Sequence, residues 1–186
     1  MSSSEALQAL GEQARGRFGA ALLAVDLARG ELTLRTGPAE VLRTAGAALV
    51  SSVGGATGPL LGTFFMEAGK AAPATGEIDT TALAAAVRAG AEGLCRRGGA
   101  KVGDKTMVDA LMPAVEALEA SAAAGASPRA ALAAASRAAR RGAEATAAMV
   151  SRQGKSRYLG ERAVGCQDPG ANSIAIIFEA FAEALA

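Results

Sequence analysis

Three segments of this chain combine glycine with polar or charged residues in patterns that could bind an anion or support catalysis. Ser51–Gly58 contains three glycines, and the successive amides of a glycine-rich helix start can hold a phosphate. Gly98–Met107 adds the charged neighbours Asp104 and Lys105. Tyr158–Gly170 holds the single tyrosine of the chain, an adjacent acid–base pair and an Asp-Pro-Gly turn. The chemistry that these segments suggest is the binding of a phosphate-bearing ligand.

Each segment also has a purely structural interpretation, which the residues alone leave open. No Gly-Lys-Ser/Thr follows Ser51–Gly58, so this segment is not a P-loop, and it could simply join two helices. In the second segment, Asp104 could be the N-cap of a helix and Lys105 a solvated cation, and neither charge would then need a ligand. Loops as rich in glycine and polar residues as the third are more often sites than spacers.

Composition and charge exclude several functional classes. The chain has no histidine, which excludes Ser-His and Cys-His catalysis and histidine-ligated zinc. Its 19 basic and 18 acidic residues give a net charge of +1, so we expect no nucleic-acid partner. Cys95 and Cys166 lie far apart without CxxC spacing, which predicts neither a zinc knuckle nor a disulfide framework. No signal peptide and no apolar run of about 20 residues is present, which predicts a cytoplasmic protein without membrane contact.

The elements that must position these segments are predicted to be helices throughout. Apolar residues recur at helical spacing between short Gly/Pro/Ser breaks, with almost no alternation of period two. The chain has 49 alanines and only 3% aromatic residues, so its core must be built from closely approaching helices. The sequence predicts about seven helices, at 2 to about 29, 38 to about 50, 60–72, 80–97, 104 to about 118, 127 to about 153, and 174–185.

Short connections between helices favour antiparallel neighbours in an up-and-down bundle. At 186 residues, a single domain covering residues 1–186 is expected. The loops of such a bundle gather at its two ends, so any site should lie at one end.

Taken together, the three segments resemble one known family. They are similar to the nucleotide-binding L subunit of bacterial dihydroxyacetone kinase. The matching stretches are Ser-Ser-Val-Gly-Gly-Ala-Thr-Gly-Pro-Leu-Leu-Gly-Thr-Phe-Phe from Ser51, Gly-Asp-Lys-Thr-Met-Val-Asp-Ala-Leu-Met-Pro from Gly103, and Tyr-Leu-Gly-Glu-Arg from Tyr158 with Gln-Asp-Pro-Gly-Ala from Gln167. The C-terminal domain of the single-chain ATP-dependent enzymes is equivalent. The resemblance runs from about Pro38 to the C-terminus.

The resemblance implies an all-α, eight-helix antiparallel barrel that binds ADP or ATP with two magnesium ions at one end. The phosphoryl group would pass to dihydroxyacetone held covalently on a separate K subunit. In the phosphotransferase-system branch, bound ADP is instead retained and recharged by a phospho-histidine carrier protein. The family's site residues can be carried over to the matching positions of this chain. The resemblance implies that Ala56 and Thr57 contact phosphate and that Gly98 and Met107 line the adenine and ribose pocket. It also implies that Asp168, Pro169 and Gly170 close the pocket, and Lys155 stands where the family usually has an arginine.

The N-terminal part departs from the family pattern, because the magnesium motif, an Asp followed by Gly-Asp-x-Asp-His-Gly, is missing. One alignment keeps the family's distance to the serine pair at 51–52 and retains a single carboxylate, Glu12. The alignment that we prefer retains Asp26, replaces the second ligand by Glu31 and places Thr33 and Leu34 at the remaining positions. Both leave the ligand set incomplete, and Asp26 and Glu31 could also be ordinary solvated charges.

Two functional hypotheses follow from this pattern. The chain is either an L-type kinase subunit with doubtful magnesium binding, or a catalytically deficient paralogue that acts as a regulatory or interaction module. We expect weak ADP binding that is nearly independent of magnesium. The preferred alignment also removes about one helix of the family's eight, which would expose apolar surface and favour a homodimer or a partner.

Overall fold

The structure, a computed structural model, describes residues 37–185, with the backbone alone for Lys155 and Ser156. Every regular element in this range is helical, which confirms the all-α prediction. The α-helices are α1 (Pro38–Ser52), α2 (Thr57–Ala71), α3 (Thr80–Gly98), α4 (Val108–Ala123), α5 (Pro128–Ala145) and α6 (Pro169–Ala184), and two 3₁₀ segments cover Thr146–Ala148 and Lys155–Ala163. These residues fall into two compact units, 37–98 and 99–185.

The N-terminal unit contains α1, α2 and α3, which pack through glycines. A Cβ placed on Gly62 of α2 would lie 2.9 Å from the carbonyl oxygen of Gly46 in α1, and one on Gly69 would lie 2.8 Å from that of Ala39. The contacts run in opposite directions along the two helices, so α1 and α2 are antiparallel. Helix α3 packs on α2 in the same way, with Gly90 against Phe64. The absence of side chains at the crossings lets the backbones approach closely.

The C-terminal unit contains α4, α5 and α6, with α5 packed against both other helices. Gly142 of α5 lies so close to α4 that an added Cβ would be 2.3 Å from the carbonyl oxygen of Asp109. On the other side, Arg140 forms a bidentate ion pair with Glu179 of α6, in which two guanidinium nitrogens lie 2.7 and 2.8 Å from the two carboxylate oxygens. Apolar residues from all three helices fill the core of this unit: Leu111, Leu118, Ala135, Ala139, Ile174 and Phe178 are nearly inaccessible to solvent.

Most helix starts follow the capping signals of the sequence. The side chain of Asp79 accepts a hydrogen bond from the amide of Ala82 at 2.7 Å, and that of Ser127 accepts one from Ala130 at 3.3 Å. Pro38 and Pro128 occupy first-turn positions, where the missing N–H costs nothing. These local signals confirm the predicted starts at 38 and 80, and α5 begins at Pro128, one residue after the predicted start at 127.

Five predicted helix boundaries are wrong. Helix α2 begins at Thr57 rather than at residue 60, and α4 ends at Ala123 rather than near residue 118. Helix α4 begins at Val108 rather than at Asp104, because the carboxylate of Asp104 bonds inside the preceding loop. Helix α5 ends at Ala145 rather than near residue 153, and a 3₁₀ turn follows at the buried Thr146. Helix α6 begins at Pro169, five residues before the predicted start at 174, because Asp168 caps it.

Some predictions lie outside the described residues. They include the first predicted helix, the metal candidates Asp26 and Glu31, and the missing helix relative to the family barrel. The assignment of residues 1–186 to a single domain stays a prediction. No helix within 37–185 combines the length and the apolar character needed to cross a bilayer.

Candidate functional site

The start of α2 offers backbone amides to an anion. The break between α1 and α2 contains Gly55 with a φ of +72°, followed by the exposed Ala56 at the N-cap position and the half-buried Thr57. No side chain caps this helix. The first amides of a helix lack partners within the helix and carry partial positive charge, so they suit a phosphate oxygen. The structure therefore places Ala56 and Thr57 at the uncapped start of α2.

Two glycines shape the same end of the N-terminal unit. A Cβ on Gly58 would lie 1.9 Å from the carbonyl oxygen of Val53, so only glycine lets α2 begin this close to the end of α1. A Cβ on Gly98, the last residue of α3, would lie 3.1 Å from Leu60 in the first turn of α2. Two predicted site residues, Thr57 and Gly98, thus lie at one end of this unit, and Gly98 is exposed to solvent there.

In the C-terminal unit, two buried aspartates organise the loop before α4. The carboxylate of Asp109 accepts hydrogen bonds from the amides of Gly103 and Thr106, at 2.6 and 2.7 Å. The carboxylate of Asp104 accepts one from the amide of Lys101 at 2.9 Å. Asp104 is therefore a loop residue and not the predicted helix cap, while Asp109, inside the first turn of α4, closes the loop.

Lys105 is buried, which contradicts its interpretation as a solvated cation. Its side chain is 3% exposed, and its Nζ donates to three carbonyl oxygens, those of Met149 at 3.0 Å, Ala163 at 2.6 Å and Cys166 at 2.8 Å. An ammonium group has three donors, and all three are used here, as burial of a charge requires. Lys105 also has a φ of +61°, a conformation that costs a non-glycine residue about 1–2 kcal/mol.

Asp168 caps α6 and connects it to α5. Its carboxylate accepts a hydrogen bond from the amide of Ala171 at 2.8 Å, and its own amide donates to the hydroxyl of the buried Thr146 at 2.8 Å. Burial raises the pKa of the Asp168 carboxyl above its ordinary value. The hydrogen bonds from Ala171 and Gly170 oppose this rise, Asp109 adds to it, and the charge of Lys105 counteracts it.

The structure brings three predicted residues of this unit together. A Cβ on Gly170 would lie 2.9 Å from a carboxylate oxygen of Asp168 and 3.4 Å from the side chain of Met107. Met107 is buried at the N-cap position of α4, and Pro169 is the exposed first residue of α6. Met107, Asp168 and Gly170 therefore form one group, which we call the contact group, and Pro169 lies between two of its members in the chain.

Lys155 begins the second 3₁₀ segment, and its side chain lies outside the described part of the chain. Cys166 and Cys95 are both free thiols of intermediate exposure. Within residues 37–185, no three acidic or cysteine side chains form a group that could hold a metal ion. The carboxylates of Asp104, Asp109 and Asp168 instead accept hydrogen bonds from backbone amides.

Sequence reasoning missed the structural roles of Lys105, Asp109 and Thr146. One sequence signal could have indicated a buried polar group: Asp109 lies between the apolar residues Val108 and Ala110. The partners of Lys105 lie 44 to 61 residues further along the chain, and no local pattern indicates them.

Comparison with known proteins matches this chain to characterised kinases. The model of the DAK2 domain family matches residues 18–183. The chain is 44% identical over 142 residues to the "PEP-dependent dihydroxyacetone kinase, ADP-binding subunit DhaL" of Escherichia coli K12, covering 76% of this chain and 68% of that protein. A Listeria innocua subunit of the corresponding name is 37% identical over 142 residues, which are 76% of this chain and 65% of that subunit.

Longer relatives match as well. The D-erythrulose kinase of Mycolicibacterium smegmatis is 36% identical over 166 residues, which are 89% of this chain but 29% of the kinase. Among solved structures, the dihydroxyacetone kinase of C. freundii in complex with AMP-PNP and Mg²⁺ matches with a TM-score of 0.57 and 32% identity. That match covers 80% of this chain and 23% of the kinase chain. These findings agree with the motifs at Ser51, Gly103 and Tyr158, and the chain belongs to the DAK2 domain family.

Proposed function

We propose that this chain is a nucleotide-binding L-type subunit of a dihydroxyacetone kinase, with ADP or ATP as its ligand. The observation that carries the proposal is the contact group of Met107, Asp168 and Gly170, in a chain whose relatives are named ADP-binding subunits. The residues proposed to meet the nucleotide are Ala56, Thr57, Gly98, Met107, Lys155, Asp168, Pro169 and Gly170.

The chemistry of these residues suits a nucleotide. The uncapped first turn of α2, at Ala56 and Thr57, would donate amide hydrogens to phosphate oxygens. Gly98 and Gly170 present backbone without side chains, so a flat base can approach closely. The thioether of Met107 is polarisable and packs well against an aromatic ring. Asp168 would act through structure, by holding the first turn of α6 in place.

The substrate and the partner follow from the same proposal. We propose that a small ketose, held on a separate K-type subunit, receives the phosphoryl group, because relatives of this chain are named as the ADP-binding subunits of dihydroxyacetone kinases. Either ATP or a phosphotransferase-system carrier protein would supply that group. We also propose a cytoplasmic location, because such a subunit works where its nucleotide is supplied.

The incomplete magnesium motif favours a second candidate function. Phosphoryl transfer depends on neutralisation of phosphate charge, usually by metal ions held by several carboxylates. The sequence lacks Gly-Asp-x-Asp-His-Gly, and only Asp26 and Glu31 remain as proposed ligands. The described carboxylates do not fit a metal site, because backbone amides engage Asp104, Asp109 and Asp168. A catalytically deficient paralogue that acts as a regulatory or interaction module, with weak or no nucleotide binding, is therefore the alternative.

Calorimetry with ADP tests the nucleotide part of the proposal. We expect weak binding whose Kd changes little when magnesium is added or removed with EDTA. The double substitution D26N/E31Q should then leave the Kd unchanged. Tight binding that collapses with EDTA, and that D26N/E31Q also abolishes, would instead show that these residues complete a working metal site.

An activity assay separates the two candidate functions. The purified chain is combined with a competent K subunit, dihydroxyacetone and ATP, and in parallel with a phosphorylated carrier protein in place of ATP. Formation of dihydroxyacetone phosphate in either mixture supports the kinase subunit. A chain that binds the K subunit in sedimentation but forms no product supports the alternative. The same sedimentation experiment without the K subunit tests the predicted homodimer.

A further inference from the structure

Residues 150–164, which we call the strap, connect the end of α5 to the start of α6 with little hydrophobic burial of their own. Tyr158 is 73% exposed, and Leu159 and Val164 are nearly half exposed. Among the strap residues whose side chains the structure describes, only Ser151 and Ala163, near its two ends, are buried. Apolar packing therefore cannot by itself hold this segment in one position.

Lys105 holds the two ends of the strap together. Its Nζ donates to the carbonyl of Met149, immediately before the strap, and to those of Ala163 and Cys166 at the far end. Two backbone hydrogen bonds add to this arrangement: the amide of Arg152 donates to the carbonyl of Asp104 at 3.1 Å, and that of Gly165 donates to Ala147 at 2.8 Å. Lys105 is the described side chain that makes three of these connections, with acceptors at both ends of the strap.

The same residue lies between the two parts of the contact group. Met107 is two residues after Lys105, in the loop that Asp109 closes. Cys166, whose carbonyl Lys105 binds, is two residues before Asp168. Hydrogen bonds of Lys105 therefore connect the loop that carries Met107 to the segment that leads into Asp168 and Gly170.

We propose that Lys105 is a positioning residue for nucleotide binding, which acts by joining both ends of the strap and so placing Asp168–Gly170 against Met107. This inference rests on the proposed nucleotide binding. Lys105 does not touch the nucleotide itself, because its three donors are already used by carbonyl groups. Its charge would act through geometry, so its removal should change the order of the strap and the affinity for ADP together.

The test compares three variants in the complete chain. K105M keeps the length of the side chain but removes its donors. K101M changes an exposed lysine of the same loop and serves as the matched control. L118A opens a cavity in the core of α4 and controls for a general loss of stability. The measurements are the rate of tryptic cleavage after the exposed Arg152, Arg157 and Arg162, under conditions where all variants are folded, and the Kd for ADP from calorimetry.

We expect K105M to be cleaved in the strap about tenfold faster than the wild type and to bind ADP about tenfold more weakly. K101M should match the wild type in both measurements. L118A should lower the midpoint of urea unfolding without either of these changes. Strap cleavage and ADP affinity at wild-type levels in K105M would overturn the proposal, as would equal changes in L118A.

Hydrogen exchange keeps the proposal testable if K105M does not fold. Coupling between two sites is reciprocal, so ADP must stabilise a strap that promotes ADP binding. In the wild type, saturating ADP should slow exchange of the Arg152 and Gly165 amides, and unchanged exchange would overturn the proposal. A wild type that binds no ADP at all would contradict the proposed function instead. If the wild type binds no ADP and K105M does fold, the rates of tryptic cleavage of K105M and K101M without nucleotide would still decide whether Lys105 holds the strap.

Discussion

The carboxylate of Asp109 accepts a hydrogen bond at 2.6 Å from the backbone amide of Gly103, six residues earlier in the chain. Its second oxygen accepts one from the amide of Thr106 at 2.7 Å. Asp109 is 3% exposed, so water cannot replace either bond. One buried side chain thereby shapes the loop that carries both Lys105 and Met107.

Replacement of Asp109 by asparagine should destabilise the C-terminal unit. Asparagine offers one acceptor oxygen where two amides need an acceptor, and its NH₂ group would face a second donor. We expect D109N to lower the free energy of unfolding by about 1–3 kcal/mol, as measured by urea denaturation. E116Q, on the exposed face of the same helix, is the control and should change it little. Equal stability of D109N and the wild type would contradict this role.

A matched pair of glycine substitutions tests the junction between α1 and α2. G58A would place a Cβ 1.9 Å from the carbonyl oxygen of Val53, and since that atom is backbone, the two helices must separate. G54A lies in the same junction with no atom within 4 Å of its added Cβ. We expect G58A to cost about 1–3 kcal/mol in urea denaturation and G54A to be near neutral. Similar losses in both variants would show that chain flexibility, not close approach, explains the glycines.

The raised pKa of Asp168 predicts a specific dependence of stability on pH. A raised pKa means that the folded state binds a proton more tightly than the unfolded state does. The contribution of this group to stability is therefore largest at low pH, and it falls as pH rises from the unfolded value near 3.8 through the raised folded value. Above that window, the contribution stays constant.

The variant D168N isolates this effect. Asparagine is also a good N-cap, so it keeps the acceptor for the Ala171 amide but does not ionise. The free energy of unfolding of the wild type minus that of D168N should fall as pH rises through the window. Urea denaturation of both proteins at a series of pH values measures this difference. A difference that increases with pH would contradict the predicted direction.

Gly170 provides a test of the contact group within the first turn of α6. G170A would bring a Cβ to 2.9 Å from the Asp168 carboxylate and 3.4 Å from Met107, while alanine is otherwise favourable in a helix. We expect ADP binding to weaken roughly fivefold to tenfold in calorimetry. Both proteins are compared at a temperature where thermal unfolding shows that each is folded, because the added Cβ must displace the Asp168 carboxylate. S173A, one turn further into α6, is the control. Unchanged affinity in G170A would remove Gly170 from the proposed site.

Much of the fold could be predicted from the sequence, because the signals are local. Pro38, Asp79 and Ser127 mark helix starts by satisfying or avoiding the unpaired amides of a first turn. Helical spacing of apolar residues then identifies the buried faces. The same logic failed at Asp104, where a capping residue type bonds to its own loop instead. A capping residue predicts a helix start only when no competing amide is nearby.

The sequence by itself determined the helical class, because residue type and short-range spacing are sufficient for it. Its motifs also carried the family resemblance, and that resemblance implied the candidate residues Ala56, Met107 and Asp168. Only the tertiary structure decided that Lys105 is buried and that Gly170 contacts Met107. Burial of a charge depends on acceptors that other parts of the chain supply, here carbonyl groups 44 to 61 residues away. No local pattern contains that information, since only the folded backbone brings those carbonyl oxygens around one nitrogen atom.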